Sequence, residues 1–166
     1  MVNQNPEQPL SPEIPKPAVE VWVLNDHQIA HDTFKNILSS TSYGSDMIIN
    51  PKYLFTTEQV LLELEVSVIE GNPLPDIIFV DYDLKEGLDE NIQTDFPTGI
   101  QSIQAITFYC QQNQIKVPFF LATSTNKDKN RELINAGANA TYDDSLPIRQ
   151  RTEQLRQLLK SLSEQK

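Results

Sequence analysis

The stretch Pro75-Asp76-Ile77-Ile78-Phe79-Val80-Asp81-Tyr82-Asp83 constrains the fold more than any other. Ile77 to Val80 is a short, unbroken apolar run rich in β-branched residues, with Pro73 and Pro75 ahead of it. Such a run predicts a central strand buried on both faces, as in a parallel sheet. A carboxylate ends it at once, and a second follows two positions on. In an open parallel sheet, ligands bind beyond the carboxyl ends of the strands, which is where Asp81 would stand.

The rest of the chain alternates in the same manner. Residues 1–18 carry Pro6, Pro9, Pro12, Pro15 and Pro17 among polar residues, a pattern that cannot build a core and predicts a disordered Pro-rich tail. Val19–Leu24 reads as a strand. Asn25-Asp26-His27 forms an acidic turn, with Asp26 a candidate helix N-cap, and Ile29 to Leu38 has helical periodicity. His27 and His31 are four apart, a spacing that suits a metal, but without a third ligand they read as surface histidines. Met47–Phe55 is a Pro-interrupted strand suited to a sheet edge. Thr56 and Gln59 form a capping box for a helix with Val60, Leu61, Leu64 and Val68 inward, closing near Gly71. After the central strand, the spacing predicts a helix over Gly99–Gln112, a strand over Val117–Ala122, and a helix from about Asn126 to Gly137. A short strand follows over Ala138–Tyr142. The last helix starts at Ser145 and Pro147 and carries Ile148, Leu155, Leu158, Leu159 and Leu162.

Five strands alternating with five helices predict a flavodoxin-like (βα)5 doubly wound α/β fold. Its five-stranded parallel sheet would have the order 2-1-3-4-5, with helices on both faces. Residues 19–163 would form this single domain, with an acidic insertion at about 84–97. The 166 residues carry a formal net charge of -10, which opposes binding to nucleic acid or anionic membranes. No apolar run is long enough for a bilayer, and the first residues lack a signal-peptide pattern, so the expected compartment is cytoplasmic. The lone Cys110 reads as a core residue.

In this topology Asn25-Asp26, Asp81-Tyr82-Asp83, Thr123-Ser124 and Asp143-Asp144 all follow strands and share one edge of the sheet. Crowded carboxylates repel unless a cation neutralises them, and a hard oxygen-lined site of few ligands suits Mg²⁺. Asp81 could then act as a nucleophile toward phosphorus, and Thr123 could donate its hydroxyl to a phosphoryl oxygen.

These residues, with the Ala-Gly-Ala of positions 136–138, resemble the receiver domain of two-component response regulators over nearly all of Val19–Leu162. The resemblance implies that Asp81 is the phosphoacceptor and Thr123 the phosphoryl-sensing hydroxyl. It implies that Asp26, Asp81 and the main-chain carbonyl of Asp83 hold Mg²⁺, with Asn25, standing where a second acid is usual, acting weakly through a water. It further implies a histidine kinase or phosphotransfer protein as donor, and a downstream protein partner on the face of the fourth helix, fifth strand and fifth helix. A homodimer is also compatible, and no enzymatic activity beyond self-phosphorylation and dephosphorylation at Asp81 is expected.

The sequence departs from the family pattern in several places. Lys85 stands where a proline is usual. The lysine expected at the end of strand five falls on Asp144 or Leu146, depending on the register. Lys85 and Lys127 are the candidate substitutes. The aromatic switch position falls on Thr141, beside Tyr142, and the insertion brings Glu86, Asp89, Glu90 and Asp95 near the pocket. A second reading is therefore a pseudo-receiver, a phosphorylation-independent interaction module. A third is a phosphatase resembling the haloacid dehalogenases, with Asp81 as nucleophile, Asp83 as general acid, Thr123 or Ser124 and Lys127 or Lys129 behind them, and residues 84–97 as a small cap.

Overall fold

A computed structural model describes residues 14–166. The elements alternate without exception: β1 Ala18–Leu24, α1 Gln28–Ser42, β2 Ile48–Leu54, α2 Thr57–Glu70, β3 Ile77–Val80, α3 Gly99–Gln112, β4 Phe119–Ala122, α4 Lys127–Ala136, β5 Ala140–Thr141 and α5 Ile148–Glu164. The strands form one five-stranded sheet in the order β2-β1-β3-β4-β5, and every pairing is parallel. This is the doubly wound flavodoxin-like arrangement read from the sequence. The expected Pro-rich tail lies outside the described residues up to position 13. Ile14 to Pro17 are exposed and irregular, and Ala18 already pairs with Ile48.

Period-two alternation along the strands divides the core into two layers. Trp22, Leu24, Ile78, Val80 and Phe120 point to one face, where Val60 and Leu64 of α2, Ile103 and Ile106 of α3, and Leu133 of α4 cover them. Val21, Val23, Ile77, Phe79 and Leu121 point to the other, under Phe34 and Leu38 of α1 and Leu155, Leu159 and Leu162 of α5. All four residues of β3 are fully buried, as expected of a strand covered on both sides. Cys110 lies in the first layer. β2 is one of the two edge strands, and it tolerates Pro51 because an edge has no second neighbour needing that missing N–H.

Several local expectations are corrected. His31 is not a surface residue: it is 3% exposed and packs against the rings of Tyr53 and Phe55, 5.6 and 4.4 Å away. Asp26 is not the cap of α1. That position belongs to His27, whose N–H is taken by the Asn25 side-chain oxygen at 2.9 Å. Thr56 caps α2 as read, accepting from the Gln59 amide, but the Gln59 side chain reaches back to the Phe55 N–H rather than to Thr56. The complete capping box is at α3, between Thr98 and Gln101. Val68 is 42% exposed, because the buried stripe of α2 runs through Val60, Leu64 and the small Ser67. Ser145 does not start α5; the Asp143 carboxylate takes its N–H and hydroxyl, and Pro147 stands at the N-cap. Ile148 accordingly falls on the first, solvent-facing turn and is 65% exposed.

Candidate functional site

Register decides where the polar residues meet. Leu24 pairs with Leu54 and with Val80, Val80 with Ala122, and Ala122 with Thr141, so the strands end nearly level. The ladder continues one residue further. Asn25 N–H donates to Leu54 C=O, Asp81 N–H to Leu24 C=O, Thr123 N–H to Val80 C=O, and Tyr142 N–H to Ala122 C=O, at 2.8–3.3 Å. Asn25, Asp81, Thr123 and Tyr142 are therefore fixed in one row by backbone bonds, independently of their side chains.

Around Asp81 the groups converge. Its Oδ1 accepts the Tyr82 N–H at 2.8 Å and its Oδ2 the Asn25 side-chain amide at 3.2 Å. Burial pushes its carboxyl above the usual value. The Tyr82 amide opposes that shift, Asp26 and Asp83 add to it through charge repulsion, and the Asn25 amide opposes it again. Asp26 is more deeply placed, at 1% exposure. Its Oδ2 accepts the Gly87 N–H at 2.6 Å, while its buried Oδ1 has no hydrogen-bond partner and lies 3.8 Å from His27 Nε2. An unpartnered carboxylate oxygen in a buried site is costly unless a cation or donor meets it.

Asp83 turns its carboxylate the other way. It pairs with Lys129 of α4, whose ammonium also sits 5.0 Å above the Tyr82 ring. The Tyr82 hydroxyl in turn donates to Glu132 at 2.6 Å. The Asp83 main chain forms an antiparallel bridge with Thr98, held by Leu84 N–H to Pro97 C=O and Gly99 N–H to Tyr82 C=O, so its own carbonyl stays outside these bonds. Among the described residues, no three His, Cys, Asp or Glu side chains gather as a metal-holding group. The oxygens that could hold a cation are the Asp26 and Asp81 carboxylates and the Asp83 carbonyl, and among them the buried Asp26 Oδ1 has no hydrogen-bond partner.

The remaining sequence-predicted residues are placed as follows. Thr123 is half-buried beside Asp81 in the row, and the loop after it is locked by Asn130, which bonds both the N–H and the C=O of Ser124. Lys85 is exposed on the insertion. Lys127 is exposed at the start of α4, where its charge helps, after the bonds from Ser145, to hold the Asp143 carboxyl low. Asp144 and Thr141 are exposed, whereas Tyr142 is half-buried against Phe34. Gly99, which opens α3, approaches closely: a Cβ there would stand 2.2 Å from the Asp81 carbonyl oxygen. The sequence reading missed Gly87, whose N–H meets Asp26, since it belongs to no local pattern.

No protein-family model matches the chain, and no curated protein matches it. Solved structures do. A CheY-like response regulator receiver domain protein from Methanospirillum hungatei superposes with a TM-score of 0.58 at 14% identity, covering 90% of this chain and 99% of that one. A response regulator in red light signaling of R. palustris gives 0.60 at 18% identity, covering 84% and 90%. The receiver domain of NtrX from Brucella abortus gives 0.56 at 15% identity, covering 84% and 98%. At these identities the likeness establishes the fold: the chain has the architecture of a response-regulator receiver domain.

Proposed function

We propose that the chain is a receiver module of phosphorelay signalling, in which Asp81 accepts a phosphoryl group from a histidine kinase or phosphotransfer protein. One observation carries the proposal: Asp81, its carboxyl raised by burial, stands next to a second buried carboxylate, Asp26, that keeps an oxygen without a partner. Asp26, Asp81 and the Asp83 carbonyl would hold Mg²⁺, with Asn25 orienting a bound water. When bound, the cation supplies positive charge that offsets the paired carboxylates and the incoming phosphoryl oxygens.

In the transfer step an Asp81 carboxylate oxygen attacks phosphorus. The P–N bond to the donor imidazole breaks, and the imidazole leaves with the electron pair and takes up a proton. Asn25 holds Asp81 Oδ2 and the Tyr82 amide holds Oδ1, so the carboxylate is oriented before the donor arrives. The Thr123 hydroxyl would accept the role of reading the added phosphoryl oxygens. Output would pass to a protein partner on the α4-β5-α5 face. Among the described residues no helix is long and apolar enough to cross a membrane, which is compatible with a cytoplasmic module.

A second reading, the pseudo-receiver, is favoured by a specific contact: the Gly87 N–H already donates to Asp26. Intact mass after incubation with acetyl phosphate and Mg²⁺ separates the readings. A single phosphoryl adduct on the wild type, absent from Asp81→Asn, supports the receiver. No adduct, with no Mg²⁺ binding by titration, supports the interaction module. Catalytic release of phosphate from small phosphomonoesters would support the phosphatase alternative.

A further inference from the structure

The 84–97 insertion is an organised piece of the site. The Asp83–Thr98 bridge closes its neck, and Leu84, 1% exposed, anchors its first residue in the core. From there the loop docks at two points. Gly87 donates its N–H to Asp26 Oδ2 and lies so close to the His27 ring that a Cβ would stand 2.4 Å from Nδ1. Further along, the Thr94 hydroxyl bonds both oxygens of Glu58 at 3.0 Å, and the Asp95 N–H donates to Glu58 Oε1 at 2.7 Å. Glu58 belongs to the first turn of α2, so a helix of the scaffold holds the far end of the loop. Asp89 to Gln93, between the two docking points, are exposed.

This docking covers the carboxylate that the proposed function assigns to the cation. The Asp26 side chain has 0% exposure, against 53% for His27 beside it. Mg²⁺ demands near-octahedral coordination and keeps several of its waters. A hydrated ion therefore has no approach to Asp26 while Gly87 and His27 lie across it, and the Gly87 N–H already supplies a partial positive charge to one of the two oxygens.

We infer that the 84–97 loop is an autoinhibitory cover that competes with the divalent cation at Asp26, with the Glu58 staple setting how often the cover lifts. The inference rests on the reading of Asp26 as a cation ligand. Its consequence is quantitative. When only the uncovered state binds, apparent affinity falls by the fraction of molecules uncovered, so loosening a remote staple tightens Mg²⁺ binding without touching a ligand. A partner that seizes Thr94 or Asp95, or competes for Glu58, would open the site in the same way.

The test is a Mg²⁺ titration of the full chain, followed by calorimetry and by the ¹H–¹⁵N signal and hydrogen exchange of the Gly87 amide. Wild type, Glu58→Ala and the milder Thr94→Val are compared. Neither variant alters a residue of the proposed cation or phosphoryl site. Glu58→Ala is expected to tighten apparent Mg²⁺ affinity about fivefold or more, the equivalent of at least one net hydrogen bond removed from the covered state. Thr94→Val should do so by less. In wild type, saturating Mg²⁺ should shift the Gly87 amide and accelerate its exchange about tenfold or more, as expected when binding selects the uncovered state. Equal Mg²⁺ affinity in all three proteins, with the Gly87 amide unmoved and still protected, overturns the cover while leaving Asp26 a cation ligand. Absence of Mg²⁺ binding in Glu58→Ala as well as in wild type, although Gly87 exchange is faster in the variant, overturns the inference together with the cation reading beneath it.

Discussion

Replacing Gly99 by alanine tests how tightly the fold and the site are joined. A Cβ at position 99 would stand 2.2 Å from the Asp81 carbonyl oxygen, 2.8 Å from Leu133 Cδ2 and 3.0 Å from Val80 Cγ1, whereas ordinary contact begins at 3.4 Å. The Leu133 methyl can rotate away. The carbonyl cannot, because Asp81 is held in the row by its N–H to Leu24 and because Gly99 N–H and Tyr82 C=O are bonded at 2.7 Å. The start of α3 must therefore move away from β3 by more than an ångström. Overpacking a core typically costs 1–3 kcal/mol, and a clash with fixed backbone belongs near the upper end, about 3 kcal/mol. Alanine returns up to about 1 kcal/mol as the better helix residue. The net loss is about 2–3 kcal/mol, or a fall in Tm of about 4–12 °C for a chain of this length. Urea unfolding and thermal melts followed by circular dichroism would measure it. Gly44→Ala is the control, since nothing lies within 4 Å there and only its positive φ of 69° is strained, at a cost of about 1 kcal/mol. A Gly99→Ala protein within 1 °C of wild type in Tm would refute the reasoning, since it would mean that the α3–β3 contact is soft.

Three further outcomes follow from burial and charge. Asp81 has its folded carboxyl pKa raised above 3.8 by burial, so the unfolded chain ionises first and stability falls as pH rises through 3.8 toward the folded value. Without divalent cation, Asp81→Asn should therefore be more stable than wild type at neutral pH, and the difference should vanish below pH 3.8; equal stability at neutral pH counts against it. His31 is held below 6.5 chiefly by burial, so its contribution is fully present above pH 6.5 and is lost as pH falls from there through the folded value. His31→Phe should flatten that part of the stability profile in urea titrations, and an unchanged slope would contradict the assignment. Cys110, fully buried with its thiol pushed up to about 11, should resist alkylation in the native protein and react only as fast as the chain unfolds. Rapid labelling of the folded state would count against this.

The parts of the fold that could be read in sequence are those carried by contiguous patterns. Ile77–Val80 closed by Asp81 announces a buried strand and its carboxyl end, and Gly137, with φ of 119°, ends α4 where a left-handed residue is needed. The row of Asn25, Asp81 and Thr123 follows from topology once the strands are placed. What stayed hidden depends on residues distant along the chain. Asp26 looked like a helix cap because its neighbours suit one, but its partner is Gly87, 61 positions later. Glu58 carries no signal of its own in the sequence, yet Thr94 and Asp95, 36 and 37 positions later, use it as an anchor. His31 has the spacing of a surface pair, and only β2 and its exit, bringing Tyr53 and Phe55 over the ring, bury it. The path of the insertion has no periodicity, so its docking could not be read from spacing alone.

The strand order also carries a consequence for how the chain comes into being. Asn25 and Asp81 are neighbours in space yet 56 positions apart. At typical translation rates of about 5–20 residues per second, roughly 3–11 s separate the synthesis of the first from that of the second. During that interval β1 can pair with β2 on one side, while the edge that will receive β3 has no partner on the chain. A nascent chain with a bare edge of Val21, Trp22, Val23 and Leu24 is open to pairing with a neighbouring copy. The emergence of Ile77–Val80 covers that edge, so the segment that ends in the proposed phosphoacceptor also shields β1, and its own outer edge then waits for β4.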